Sequence, residues 1–115
     1  MEDMLPEIED RANALIELLK EHKGQDVILL DLRKFQTWTD FFVVAAVSSS
    51  THMDGLMRHI KEFCHSREIE ILGSSRKEAD DQWRLIDLGS IIIHLMTPNA
   101  REFYELERLW SSTKN

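Results

Sequence analysis

Cysteine is almost absent from this sequence. The one residue, Cys64, leaves no pair for a disulfide framework, and a reducing compartment is expected. Long apolar runs are missing too, since none approaches the ~20 residues of a membrane span. The opening "MEDMLPEIED" is acidic where a signal or transit peptide would be basic. A soluble, cytosolic protein is therefore expected, or one already processed. With only four glycines and two prolines there is no low-complexity linker and no glycine-rich loop to cradle a phosphate. Basic residues are also short in number. Fourteen Lys and Arg stand against 21 Asp and Glu, a formal charge of −7. Neutralising phosphates takes a basic stripe. The densest cationic patch, "SSRKEADD", is cancelled by its own acids, so direct nucleic-acid binding is not expected. An acidic surface favours encounter with a basic partner, or simply maintains solubility.

What remains fits one domain spanning all 115 residues, with 43% hydrophobic and 30% charged residues. "LPEIEDRANALIELLKEHKG" reads as an amphipathic helix over residues 1–24. Pro6 and the early acids suit its first turn, and Gly24 suits its end. "DVILLDL" reads as a strand buried on both faces, and "FFVVAAV" as a second strand. A second helix opens at "SSSTHMDG", where Thr51 and Asp54 resemble a capping box. Met53, Leu56, Met57, Ile60, Phe63 and Cys64 form its apolar stripe. "IEIL" reads as a third strand and "GSSRKEADD" as a polar loop. A hairpin turning at Gly89-Ser90 follows. Thr97-Pro98 then starts a last helix running to about Trp110. The expected class is α/β, with a mixed five-stranded sheet in the order αββαβββα.

The hairpin "WRLIDLGSIIIHLM" raises the functional question. A two-residue turn pairs Leu88 with Ile91, so Ile86, Leu88, Ile91, Ile93 and Leu95 share one face, with Arg84 at its end. The other face carries Trp83, Leu85, Asp87, Ile92, His94 and Met96. Leu85 lies opposite His94, which makes Asp87 and His94 diagonal neighbours about 7–8 Å apart at Cα, within reach of a carboxylate–imidazole contact. An aromatic, Met-bearing face is typical of protein interfaces when open to water. The residues alone leave open whether the N-terminal helix or a loop covers it.

Catalytic readings are weaker. Ser48, Ser49 and Ser50 stand where a nucleophile could, but the G-x-S-x-G elbow is missing. His52, His59 and His65 lack metal-ligand spacing, and no H-E-x-x-H occurs. The better rival is "REIEILG", in which Glu68 and Glu70 would share a strand face, as in nucleotidyltransferases that hold two metal ions. The preceding "VSSS" has no glycine, and no third acid is recognisable. Two glutamates on the solvent side of an edge strand, where charge discourages aggregation, are the better account of the pair.

Trp83, Leu85, Asp87, Gly89, His94, Met96, Arg101, Phe103, Tyr104, Leu106, Glu107, Leu109 and Trp110 fall in an order that resembles the C-terminal signature of the ribosomal silencing factor family, also called Iojap-like. "DVILLDLRKFQTWTDFFVVAAVSSS" is similar to that family's first two strands, so the family core would span residues 26–110. The chain departs from the pattern at Ala46-Val47, His52, Leu88 and Ser90. The resemblance implies a nucleotidyltransferase-like core without catalytic residues, no cofactor and no metal. It implies binding to a large-subunit ribosomal protein, number fourteen, at the face where the small subunit docks. Blocking subunit association there would repress translation when nutrients are scarce. The alternative is a small nucleotidyltransferase-like enzyme using Glu68 and Glu70.

On this reading Trp83, Leu85 and Met96 are apolar anchors for the partner, and Asp87 and His94 register it. In the last helix Phe103, Leu106 and Trp110 would pack on the sheet, while Arg101, Tyr104 and Glu107 edge the interface. A self-complementary face could also bind a second copy, giving a homodimer that competes with the ribosome.

Overall fold

A computed structural model describes residues 4–35, 38–76 and 82–99. Helix α1 (Met4–Glu21) leads into strand β1 (Gln25–Asp31) and a single 3-10 turn (Arg33–Phe35). Strand β2 (Phe41–Ala46), helix α2 (Ser50–Ser66), strand β3 (Gly73–Arg76), strand β4 (Trp83–Asp87) and strand β5 (Ile91–Met96) follow. The expected last helix is described only at its first residues, 98 and 99, and the rest lies outside the described residues.

Both helices end in the same way, and neither end uses glycine where glycine is usual. The amide of Gly24 donates to Leu19 O at 2.7 Å and that of Lys23 to Lys20 O at 3.1 Å. This is the double closure of a Schellman motif, whose left-handed residue is Lys23 at φ 72°. Gly24, expected to be that residue, instead allows close approach, since a Cβ there would lie 2.9 Å from the Leu19 carbonyl oxygen. At the end of α2, Ile69 N donates to Cys64 O at 2.8 Å and Glu68 N to His65 O at 3.2 Å, with Glu68 left-handed at φ 58°.

That closure overturns the reading of "IEIL" as a strand. The cap takes Glu68 and Ile69, buries Ile69 against the core, and delays pairing until Gly73. The third strand is therefore "GSSR", half of the expected loop, and Glu68 and Glu70 do not share a strand face. A side chain at φ > 0 costs roughly 1 kcal/mol relative to glycine. Glu68→Gly is accordingly expected to stabilise the domain by about 0.5–1 kcal/mol, which urea unfolding would read as a higher midpoint at unchanged slope. The start of α2 also differs from expectation. Ser49, not Thr51, is the N-cap, and its hydroxyl accepts from His52 N at 3.0 Å.

The strands form one mixed sheet in the order β1-β2-β5-β4-β3, with β2 and β5 parallel and the other pairs antiparallel. β1 is thus an edge strand and not one buried on both faces; of its residues only Leu30 is buried. An extra residue interrupts its register between Gln25 and Ile28, where Asp26 has φ 49°.

Alternation along the central strands divides their side chains cleanly. Phe41, Val43, Ala45, Ile86, Ile91, Ile93 and Leu95 pack with Ala12, Leu15 and Leu19 of α1 and Met53, Leu56 and Ile60 of α2. Complete burial of each of these side chains other than the alanines favours the fold by about 1.5–3 kcal/mol. Cys64 belongs to this core, and burial raises its thiol pKa. Arg84, on the same side, reaches Asp54 of α2 at 3.0 Å. Histidines fasten the two helices together. His52 Nε2 lies 3.0 Å from the His22 carbonyl oxygen, and the His22 and His59 rings stack at 3.6 Å.

Candidate partner-binding face

The sheet face turned away from α1 and α2 gathers Leu30, Leu32, Val44, Trp83 and Met96, with Ile28, Phe35 and Phe42 at their margin. The hairpin carries its polar members, and its geometry follows the expected register. Leu88 N donates to Ile91 O at 2.9 Å across Gly89, which adopts φ 90°. Leu85 then stands opposite His94, Trp83 opposite Met96 and Asp87 opposite Ile92.

Asp87 and His94 take different partners. Asp87 Oδ1 accepts the Gly89 amide at 2.7 Å, so this carboxylate holds the turn that sets the hairpin register. His94 Nδ1 accepts the Trp83 indole N–H at 3.1 Å. That bond assigns the Nε2–H tautomer to a neutral imidazole. Phe42 meets the His94 ring edge-on, with centroids 4.5 Å apart.

Burial sorts the expected anchors into two groups. Trp83 at 8% exposure, His94 at 4% and Met96 at 0% are interior, while Leu85 and Asp87 are half-buried and accessible. Arg101, Tyr104 and Glu107 lie outside the described residues. Two residues that the sequence reading passed over are the most exposed large hydrophobics among the described residues, Trp38 at 73% and Leu72 at 58%. The available signal was an apolar side chain inside a polar connection, "QTWTD" for Trp38 and the end of "IEIL" for Leu72.

The catalytic rivals find other places. Ser48 Oγ does sit 3.2 Å from His52 Nδ1, but the Ser48 amide also points at that nitrogen, at 3.0 Å. With Nε2 against the His22 carbonyl, both ring nitrogens of His52 are engaged, Nδ1 by Ser48 at the start of α2 and Nε2 by the end of α1. Glu68 caps α2, as described. Among the described residues no group of three or more His, Cys, Asp or Glu is placed to hold a metal ion. No described helix is long and apolar enough to cross a membrane. Near the end of β1, Arg33 donates to Asp31 through Nε at 2.9 Å, and this hydrogen bond holds the Asp31 carboxyl below the usual carboxylate range. The depressed value means its stabilisation is present at neutral pH and lost as pH falls through it. Solvent screens the pair, so the loss is small.

This arrangement agrees with what is found in other proteins. The family model "Ribosomal silencing factor during starvation" matches residues 5–115. A Treponema pallidum protein named ribosomal silencing factor RsfS is 38% identical over 100 residues, covering 86% of this chain and 88% of its own. The mouse protein "Mitochondrial assembly of ribosomal large subunit protein 1" is 34% identical over 84% of this chain, which spans only 43% of that longer protein. A crystal structure of a Chromobacterium violaceum protein superposes with a TM-score of 0.79 at 28% identity, covering 89% of this chain and 85% of that one. The hairpin, the mixed sheet behind it and a match over almost the whole length make this chain a member of the ribosomal silencing factor family.

Proposed function

We propose that the chain represses translation, in a bacterial cytoplasm, by occupying the large ribosomal subunit. It binds a large-subunit ribosomal protein, number fourteen, through the sheet face of the β4–β5 hairpin and blocks association with the small subunit. The observation that carries this reading is the pairing of accessible Leu85 and Asp87 with a rigid floor, the buried Trp83–His94 hydrogen bond. A preorganised floor under a few exposed anchors limits the entropy lost on binding. The mouse relative's name, which refers to the large subunit, and the −7 charge, suited to a basic partner, support it.

On this reading the chain is a regulator and not an enzyme. The family core over residues 26–110 would be nucleotidyltransferase-like and put to binding, and the acid pair of the alternative enzyme is dispersed by the α2 cap. A second copy meeting the same face would compete with the ribosome. The test is co-sedimentation with large subunits followed by addition of small ones. Stoichiometric binding that prevents joining is expected, and absence of binding at physiological salt would overturn the reading.

A further inference from the structure

The two most exposed large hydrophobics of the described residues lie at the same end of the sheet. Trp38 stands three residues before β2, and Leu72 directly precedes β3, its amide bonded to Asp87 O at 2.8 Å. Strand spacing of about 4.8 Å sets the starts of β2 and β3 roughly 14 Å apart across β5 and β4. The ground between them is built. The amides of Asp40 and Phe41 both point at Ser90 O at 3.0 Å, which ties the Trp38 segment to the hairpin turn. Leu72 leans on that turn from the other side, its Cδ1 3.4 Å from where a Cβ on Gly89 would stand. Asp87 holds the turn from within. Asp40 and Asp87 both stand at this end of the sheet, and Arg33, whose guanidinium lies over the Phe41 ring at 4.9 Å, flanks Asp40 from the β1 side.

We infer that this rim is a docking edge for a cationic protein segment that carries apolar side chains beside its Lys or Arg residues. Trp38 and Leu72 grip the apolar groups, and Asp40 and Asp87 receive the charges. Asp87 belongs to both the rim and the hairpin face, so one partner can lie across the two. The acids argue against nucleic acid as occupant, because phosphates would meet carboxylates while Arg33 is already paired with Asp31. The inference rests on the proposed large-subunit reading and extends it from the hairpin face to the end of the sheet.

The experiment is co-sedimentation of the full chain and of Trp38→Ser, Leu72→Ser and the double variant with large ribosomal subunits. Both side chains are largely in water, so the variants are expected to unfold thermally as the wild type does. Each single variant is expected to bind about tenfold more weakly, the scale of an interface anchor, and the double variant more weakly still. Folded variants that sediment like the wild type, while a Leu85 variant does not, would overturn the rim and leave the hairpin face intact. Equal capture by protein-free large-subunit RNA, with the same sensitivity to the variants, would replace the protein occupant by RNA. A wild type that fails to sediment would remove both this inference and the reading beneath it.

Discussion

Trp83→Ala is expected to cost the domain about 3–5 kcal/mol, a large share of the ~5–15 kcal/mol that a domain has. The indole is buried with Leu30, Leu32, Val44 and Met96, and its truncation leaves a cavity that β4, fixed between β3 and β5, cannot close. The N–H adds a second loss, because it donates to His94 Nδ1 within the sheet face. Trp83→Phe separates the two effects. It retains most of the apolar volume, removes the donor, and is expected to cost about 1–3 kcal/mol. Urea unfolding followed by far-UV circular dichroism measures both. A Trp83→Ala variant as stable as the wild type would show that the indole has no structural role. The expected order, alanine far below phenylalanine, means that lost binding in Trp83→Ala would report loss of fold before loss of contact.

Leu85→Lys is expected to abolish large-subunit binding while preserving the domain. Leu85 is half-buried on the outer face, so lysine can direct its ammonium to water along its stem. On the proposed reading the change removes an apolar anchor and places a like charge before a basic partner. Losses of ~2 kcal/mol or more are usual at such anchors, about thirtyfold in affinity. Asp87→Asn is the milder companion. An asparagine carbonyl can still accept the Gly89 amide, so the turn persists while the charge goes. Its effect should fall on the association rate and fade as salt is raised. Stopped-flow binding at two ionic strengths, with thermal unfolding as the folding control, would measure both. Unchanged affinity in a folded Leu85→Lys variant would remove the hairpin face from the interface.

The hairpin was legible in the sequence because two apolar runs, "WRLIDL" and "IIIHLM", flank Gly89-Ser90, and a two-residue turn fixes which residues stand opposite. Opposite placement of Leu85 and His94 follows from those two facts alone. The stripe on α2 was legible for the same kind of reason, with Met53, Leu56, Met57, Ile60 and Cys64 at helical spacing. "IEIL" failed because alternation over four residues also fits a helix cap followed by a connection. Two non-glycine residues in the left-handed region, Lys23 and Glu68, gave no residue-type signal for where the helices stop. β1 misled through composition, since an apolar run does not reveal that its strand stands at an edge. The site was half legible. Alternation assigned the face, but the depth of each side chain depends on tertiary cover, and Trp83, His94 and Met96 proved interior. Trp38 stands in a polar connection and Leu72 ends the run misread as a strand, and an apolar residue type alone does not report exposure.

The interruption in β1 bears on how copies of this chain can meet. An edge strand offers its free amides and carbonyls as a template for any other extended chain. Here the extra residue between Gln25 and Ile28 and the left-handed Asp26 break the even spacing such a template needs. A strand arriving from outside would find hydrogen-bonding groups out of step after a few residues, with the Asp26 carboxylate beside it. Sheet-to-sheet growth through β1 is thereby discouraged, and a concentrated solution of this protein is guarded against fibrous assembly at that edge.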